Sequence, residues 1–438
     1  MLSMLIGYAF TFLFCAIALT TYAQDTYDPF TIFGIGEVKP QVFVRDRAMG
    51  GASAARLDSN AFSLNPASYA QLRSLKFEGG VEGKVFNISS GDQRYNSYQL
   101  SIPYLCFGIP LTRKQDKEWG ATMGLVPYSD IRYIVRSSTD TLGINFVESY
   151  RGDGGFTKFY AGTGFRVAGG LYAGFNVNYF FGNNSLRHNI EFPDSASLIN
   201  TARYSSSFFG DIIFDGGLIY KITLDSAKRT SFSLGANVQL PSNVRGRHET
   251  ETYTYRGRGE ATDTIESQAT VKGEMFLPMS IRAGFELKNM TKRWRISGDA
   301  FYQPWSQFTY FGNNPKLNDF MGAGLGWEFQ PEPRALDTSS KFSRYMSHAK
   351  YRFGFQASKT LYEINNQGQP MNYVFSMGLG LPTRIDLRRG GGFSFVDVTL
   401  ELGKLSTVTP EGIRQNYARL ALGFQLFEGN WFAIRYVD

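Results

Sequence analysis

The chain has 438 residues, of which 43% are hydrophobic, 16% aromatic and 19% charged, and it contains 47 glycines. This profile favours short strands and turns over a mainly helical protein. The 45 basic and 38 acidic residues are intermixed along the chain, unlike the clustered positive charge of a nucleic-acid-binding surface, so we expect no nucleic-acid partner.

The first 23 residues have the features of an export signal. An apolar run from Met4 to Leu19 is short for a membrane-spanning helix and is followed by small and polar residues up to Ala23. We predict that residues 1–23 form a signal peptide cleaved after Ala23; the alternative is an uncleaved anchor helix. Cleavage leaves Cys106 as the one remaining cysteine, so the exported chain cannot form an internal disulfide.

The stretch Arg47–Ala70 is rich in small residues and lacks a strand pattern. Its Gly50-Gly51 pair allows close backbone packing. Its Asn65-Pro66-Ala67 sequence predicts a turn, because the residue before a proline is pushed towards extended geometry. Such a segment suits a confined space, although an N-terminal arm lying on a surface has a similar composition.

From Leu75 onward, apolar and polar residues alternate with period two, which is typical of β-strands with one apolar face. Short turns at 168–170, 225–228 and 289–292 contrast with long polar stretches at 137–154, 184–205 and 245–267. We predict fourteen strands, at 74–88, 96–110, 119–135, 155–167, 171–184, 206–223, 230–244, 270–288, 293–306, 318–330, 346–362, 371–383, 392–406 and 414–428.

Alternation alone is equally compatible with a soluble sandwich and with a membrane barrel. The export signal, the lack of a later apolar run of about 18 residues and strands of roughly 9 to 11 residues or more favour the barrel. Only a closed sheet leaves no unpaired edge in lipid. Five tryptophans near predicted strand ends are typical of an interfacial girdle: Trp119, Trp294, Trp305, Trp327 and Trp431.

The predicted fold is therefore an all-β, transmembrane antiparallel β-barrel of about fourteen strands, formed by residues 74–438. A lumen of that size must be filled or gated, and residues 24–73 are available as an N-terminal plug. The polar faces of the strands would line the lumen, pair with one another and hold the plug. They carry Lys76, Glu78, Glu82, Lys84, Arg282, Glu286, Lys288, Asp397, Glu401 and Arg419.

Several short motifs resemble one family of outer-membrane proteins. The stretch Arg47–Ala52, the Asn65-Pro66-Ala67 turn, the stretch Val126–Ser129 and the stretch Asn416–Phe432 together resemble the FadL/TodX transporters of long-chain fatty acids and other hydrophobic compounds, in a Bacteroidetes-like branch. The likeness spans nearly the whole exported chain.

That resemblance implies a fourteen-stranded barrel, an N-terminal hatch carrying the Asn65 turn, and lateral release of ligand at a kinked third strand. The gate candidates are Pro127 in that strand and Pro103 in the neighbouring one. A proline cannot donate to a β-ladder, so both positions weaken the wall. A plain β-bulge is the alternative explanation, since Pro278 lies in another predicted strand without such a role.

The sequence offers little catalytic chemistry. The three histidines, His188, His248 and His348, are far apart and lack metal-site spacing. We therefore predict no metal and no cofactor, and we expect a protein that is not an enzyme, although a Ser/His pair formed by folding is an alternative.

We predict passive uptake of hydrophobic small molecules across the outer membrane of a Gram-negative bacterium. The expected partners are outer-membrane lipid and a hydrophobic ligand such as a long-chain fatty acid. The alternative is a barrel without transport activity that belongs to a protein secretion or surface-attachment machinery and contacts other outer-membrane proteins.

Overall fold

The computed structural model describes residues 28–58, 63–112, 117–141, 143–195, 197–256, 260–331, 341–363, 368–383, 394–406 and 413–428. The predicted signal peptide lies outside these residues. Within them, no helix has the length and apolar character needed to cross a membrane.

The described chain forms one antiparallel sheet that closes on itself, because the last strand pairs with the first strand of the wall. The strands are β1 Glu37–Val38, β2 Leu75–Ser90, β3 Gln93–Ser101, β4 Leu105–Pro110, β5 Trp119–Thr141, β6 Ile144–Ala168, β7 Leu171–Glu191, β8 Asn200–Asp225, β9 Thr230–Gln239, β10 Ser242–Arg256, β11 Glu260–Leu277, β12 Ser280–Asn289, β13 Trp294–Gln303, β14 Thr309–Tyr310, β15 Phe320–Phe329, β16 Lys350–Lys359, β17 Met371–Thr383, β18 Ser394–Ser406 and β19 Arg414–Glu428. The helices are α1 Val44–Arg47 and α2 Lys341–Met346, with 3-10 turns at Pro29–Ile32, Pro66–Gln71 and Trp305–Gln307.

The chain spans the height of the wall fourteen times, which confirms the predicted strand number. Three crossings consist of two strands each, β3 with β4, β9 with β10, and β11 with β12. Each break contains a proline, Pro103, Pro241 or Pro278, which has no N–H to donate. The predicted continuous strands 96–110, 230–244 and 270–288 are therefore wrong at these points.

Three predicted long loops are also wrong. Most of residues 137–154, 184–205 and 245–267 continue as paired strands beyond the rim, in the hairpins β5–β6, β7–β8 and β10–β11. These parts of the hairpins are mostly polar and are exposed or half-buried, with few buried residues, so the apolar–polar alternation of the wall strands is lost although the hydrogen-bonded ladder continues.

The alternation in the wall has an apolar outer face and a polar inner face. On β19, Leu420 is 51% exposed, whereas Arg419 and Ala421 beside it are 6% and 0% exposed. Other outward residues at least half exposed include Val85, Phe175, Ile212, Leu218, Leu234, Leu325 and Phe355. An exposed apolar band around a closed barrel is the surface that lipid covers.

The tryptophan prediction is partly wrong. Trp119 and Trp327 are exposed on the outer face near its short-turn end, as a girdle requires. Trp305 is fully buried with Phe308 and Leu317 in an apolar cluster over the other end of the lumen, because the segment 304–319 folds inwards. Trp294 is half-buried, and Trp431 lies outside the described residues.

Candidate functional site: the barrel lumen and a lateral opening

Residues 28–58 and 63–73 lie against the inner face of the wall, and we call them the plug segment after the role predicted for them. The predicted turn holds this segment in place through Asn65, which begins a 3-10 turn and accepts from Ala67 N at 3.1 Å. The Asn65 amide donates to three carbonyl oxygens, of Ala54 at 2.7 Å, Leu218 at 3.2 Å and Ala236 at 3.0 Å. It therefore joins two parts of the plug segment to β8 and β9.

Inward-facing glycines of the wall allow the plug backbone to approach the strands directly. A Cβ on Gly324, Gly326 or Gly354 would overlap the backbone of Met49 or Gly50, and Gly50 itself has a positive φ of 64°. Glycine is needed at such close backbone contacts. Four further wall glycines face Ala54, Asn65 or Pro66 in the same way: Gly164, Gly174, Gly217 and Gly235. These seven residues are called the glycine ring.

Buried ion pairs connect the plug segment to several strands of the wall. Arg47 of the plug lies 2.7 Å from Glu82 and 3.7 Å from Glu401. Asp58 lies 3.0 Å from Arg295 on the opposite side of the barrel. Charge-assisted pairs of this kind fix orientation, and breaking one leaves an uncompensated buried charge.

The structure places all ten charges assigned to the lumen on the inner face. Glu82 and Arg419 belong to the Arg47 group, since Arg419 lies 2.8 Å from Glu401, while Lys84 lies 3.4 Å from Glu37. Lys76 and Glu78 lie near the short-turn end, where Tyr104 donates to Glu78 at 3.2 Å. On the other side, Arg282 lies 3.6 Å from Asp299, and Glu286 lies 3.4 Å from Arg295.

Sequence reasoning missed several partners in this network. They are Arg45, Asp46, Arg56 and Asp58 of the plug and Arg295, Asp299, Glu328 and Arg352 of the wall. The wall members follow the same alternation as the predicted ones and were detectable from it. The plug members have no periodic pattern, so the plug sequence gave no signal for them.

Glu37 of β1 is surrounded by three cationic side chains. Burial raises its pKa, but Lys39, Lys84 and Arg419 outweigh that effect and hold the pKa of the carboxyl well below its usual range. The distances are 2.8 Å to Lys39 and 3.4 Å to Lys84. Glu37 is therefore an anion at neutral pH.

The wall has a lateral opening between β3 and β5. Pairing between β4 and β5 ends at Leu105 and Leu125, and among the described strands β3 pairs with β2 alone. The ladder between β5 and β6 is also irregular between Pro127 and Ser129. Pro103 and Pro127, the predicted gate candidates, line the same cavity of about 340 Å³ at this opening.

An N-terminal strip of the plug, residues 28–41, closes this opening from inside. Its strand β1 pairs with β5, with Val38 opposite Ser129. Three further bonds hold it there: Lys39 N to Tyr128 O at 2.9 Å, Gln41 Nε2 to Pro127 O at 2.9 Å and Asp28 N to Arg132 O at 2.8 Å. The strip occupies an edge that would otherwise lack backbone partners.

Two cavities inside the barrel, each of about 130 Å³, meet the strip from the other side. One is lined by a mixture of amide, aromatic and apolar side chains and includes Lys158 and Asp215. The other mixes charges with the apolar side chains Phe30, Tyr362 and Val374. Both cavities contact Val38 and Pro40, and Pro40 also lines the lateral opening.

The histidines form neither a metal site nor a catalytic triad among the described residues. The His188 ring stacks on Tyr150 with 4.2 Å between ring centroids, and no group of three metal-binding side chains occurs in the described part of the chain. His248 Nδ1 lies 2.7 Å from Ser207 Oγ, and its Nε2 lies 3.0 Å from Thr250 Oγ1. This pair lacks a carboxylate on the second ring nitrogen, unlike a catalytic triad.

Comparison with known proteins identifies the family. A model of the BamG family matches residues 5–438. The chain belongs to the BamG family. No curated protein matches it significantly.

The fold of the BamG-family barrel is similar to that of several solved structures. A FadL homologue of Pseudomonas aeruginosa superposes with a TM-score of 0.55 at 11% identity, covering 89% of this chain and 99% of that one. The Ralstonia pickettii toluene transporter TbuX gives 0.54 at 12%, covering 89% and 99%. The P. putida toluene transporter TodX gives 0.54 at 14%, covering 87% and 97%.

Proposed function

We propose that this BamG-family protein is an outer-membrane barrel that passes hydrophobic small molecules through its lateral opening. The observation that carries the proposal is the meeting of three cavities at the N-terminal strip, two inside the barrel and one at the gap in the wall. The similar folds described as a FadL homologue and as toluene transporters support it.

The proposed route begins at the apolar cluster over the lumen and ends in the bilayer. A ligand would reach the cavity lined by Phe30 and Tyr362, whose rings are stacked 5.6 Å apart. It would then pass Val38–Gln41 and leave between Pro103 and Pro127. For a long-chain fatty acid, Lys84 or Arg419 in the same cavity would hold the carboxylate.

A reversible cross-link tests this route. Val38 and Ser129 are opposite each other in the β1–β5 pair, at a separation that suits a disulfide. A Val38→Cys/Ser129→Cys variant should take up a fluorescent fatty acid or toluene into vesicles when reduced and lose uptake when oxidised. Ala283→Cys/Ala300→Cys joins β12 to β13 on the outer face and is the matched control. Equal uptake by the oxidised and reduced forms would refute the route.

The plug assignment has its own test. Deleting residues 24–70 should leave a heat-modifiable barrel that leaks polar solutes from vesicles, because the glycine ring and the inner charges would face open water. Unchanged permeability of a folded deletion variant would remove the plug from the proposal.

The second candidate function is partner binding without transport. The observation that favours it is the strand extension from β5 to β11, which projects mostly polar surfaces beyond the rim. A barrel of this kind would bind other outer-membrane proteins and would show no saturable binding of hydrophobic ligands. A fluorescent fatty-acid displacement assay on the purified protein separates the two functions.

A further inference from the structure

Two neighbouring turns at the short-turn end of the barrel share one sequence pattern. Asp225–Arg229 connects β8 to β9, and Asn289–Arg293 connects β12 to β13. Both turns read Asp or Asn, two variable residues, then Lys-Arg. In each turn the first side chain caps the lysine N–H, at 3.0 Å for Lys228 and 2.7 Å for Lys292.

The last residue of each turn has the left-handed backbone conformation that favours glycine. Arg229 has φ of 47° and Arg293 has φ of 54°. A bulky side chain is disfavoured at such positions. The turn geometry therefore does not explain why both positions carry arginine, and the guanidinium groups require another explanation.

The two turns are bonded to each other and present their cations on one surface. Met290 N donates to Arg229 O at 3.2 Å, and Thr291 Oγ1 donates to Lys228 O at 2.9 Å. We call Lys228, Arg229, Lys292 and Arg293 the tandem-turn cluster. Within these two turns the only acidic side chain is Asp225, 3.5 Å from Lys228. Lys228, Arg229 and Lys292 are exposed, and Arg293 is half-buried with one bond to Pro331 O at 3.1 Å.

The cluster lies at the edge of the outer apolar band. Leu224, immediately before the first turn, is 59% exposed, and Met290, inside the second turn, is 53% exposed. The exposed Trp327 and Phe329 lie close to the same end of the wall. Aromatic and apolar residues next to cations are typical of the level where acyl chains meet headgroups.

We propose that the tandem-turn cluster binds the phosphate of an anionic phospholipid in the periplasmic leaflet. This inference rests on the membrane placement proposed above. Short turns mark the periplasmic end of outer-membrane barrels, and lysine and arginine are the side chains that bind phosphate. A lipid fits better than an acidic protein, because Leu224 and Met290 would be covered by the acyl chains of the same molecule.

Native mass spectrometry of the full chain in detergent provides the test. Phosphatidylglycerol and phosphatidylcholine with identical acyl chains are the probes, and the readout is the ratio of retained lipids. The wild type should prefer phosphatidylglycerol. Each basic residue near an anionic surface raises the binding affinity about fivefold. The double variant Arg229→Gly/Arg293→Gly should therefore lower the preference for phosphatidylglycerol by at least about fivefold. Glycine suits these backbone angles, so this variant should fold at least as well as the wild type.

Two controls make the outcome specific. Lys228→Gln/Lys292→Gln should lower the ratio similarly, whereas Arg247→Gln/Lys272→Gln, an opposed pair of cations on the β10–β11 hairpin, should leave it unchanged. Wild-type preference in both turn variants would overturn the proposal. Loss of a bound acidic protein, with preserved lipid preference, would assign the cluster to that protein instead.

Excess inorganic phosphate distinguishes a headgroup site from a free-phosphate site. If phosphate alone displaces all bound phosphatidylglycerol, the lipid assignment is overturned. The membrane placement is tested separately on the same samples. A heat-modifiable barrel without lipid preference refutes the headgroup site alone, whereas extraction without detergent refutes the membrane placement itself.

Discussion

Replacing Gly354 by alanine should loosen the plug segment while leaving the barrel intact. The new Cβ would overlap the backbone nitrogen of Gly50 and the carbonyl carbon of Met49, and neither can move without displacing the plug. Overpacking against a fixed neighbour costs about 1–3 kcal/mol. The Cβ would also meet Ser376 Oγ of β17, the end of a side chain that can rotate away, so most of the cost should appear in the docking of the plug.

Limited trypsin digestion measures that cost, because Arg45, Arg47 and Arg56 are buried in the docked plug. When cleavage requires local opening, a loss of about 1–3 kcal/mol raises its rate about 5- to 150-fold. Gly216→Ala is the matched control, since its Cβ would lie 3.7 Å from the nearest atom. Equal cleavage rates in the two variants, with both barrels heat-modifiable, would show that the glycine ring does not hold the plug.

Three further changes test the contacts around the plug. Asn65→Ala removes four hydrogen bonds and should reduce protection of the plug from trypsin by about 2–4 kcal/mol, whereas Asn87→Ala, at an exposed side-chain bond, should have little effect. Arg352→Met removes the guanidinium that lies nearest to two buried carboxylates, Glu328 and Asp397, and should lower the free energy of unfolding by about 3–5 kcal/mol. Arg245→Met, at an exposed pair, should change it by less than about 1 kcal/mol. Glu37→Gln should destabilise the strip by about 1–3 kcal/mol at neutral pH. Because the folded pKa of Glu37 is depressed, its contribution is present above the unfolded value of 4.5 and is lost as pH falls towards the folded pKa, so thermal unfolding of the variant and the wild type should converge in acid.

The wall was predictable because its chemistry has period two. Residues such as Arg419 and Leu420 alternate in sequence and face opposite sides in the structure. That pattern predicted the number of strand crossings in the wall. It did not predict where three of the crossings are interrupted, because a single proline is equally compatible with an edge strand or a bulge. The hairpin extensions escaped prediction because they lack the continuous apolar face that marks the wall strands.

The plug contacts were predictable only in part. Asn65 was recognisable because a proline follows it, but its carbonyl partners were not. Two of them lie on wall strands 153 and 171 residues away in sequence, and the third lies in irregular backbone of the plug. The lateral opening shows the same limit. Pro103 and Pro127 were recognisable in the sequence as interruptions of their strands. The strip that closes the gap contains only a two-residue strand, β1, which is too short to leave a periodic pattern.

The energetics of these contacts indicate which part of the plug can move. Residues 44–58 and 63–70 are held by buried ion pairs and by backbone packed on the glycine ring. Removing one partner of a buried ion pair costs about 3–5 kcal/mol. The strip at residues 28–41 is held at β5 by a few backbone bonds, worth about 0.5–1.5 kcal/mol each, together with ion pairs at Glu37. It also has cavities on both sides, and its displacement withdraws the buried side chains of Phe30 and Ile35 from apolar clusters inside the barrel. On the proposed route, displacement of the strip alone would admit a small molecule, whereas the rest of the plug would still block a polypeptide. The oxidised Val38–Ser129 cross-link should therefore abolish uptake even though it fixes only the strip.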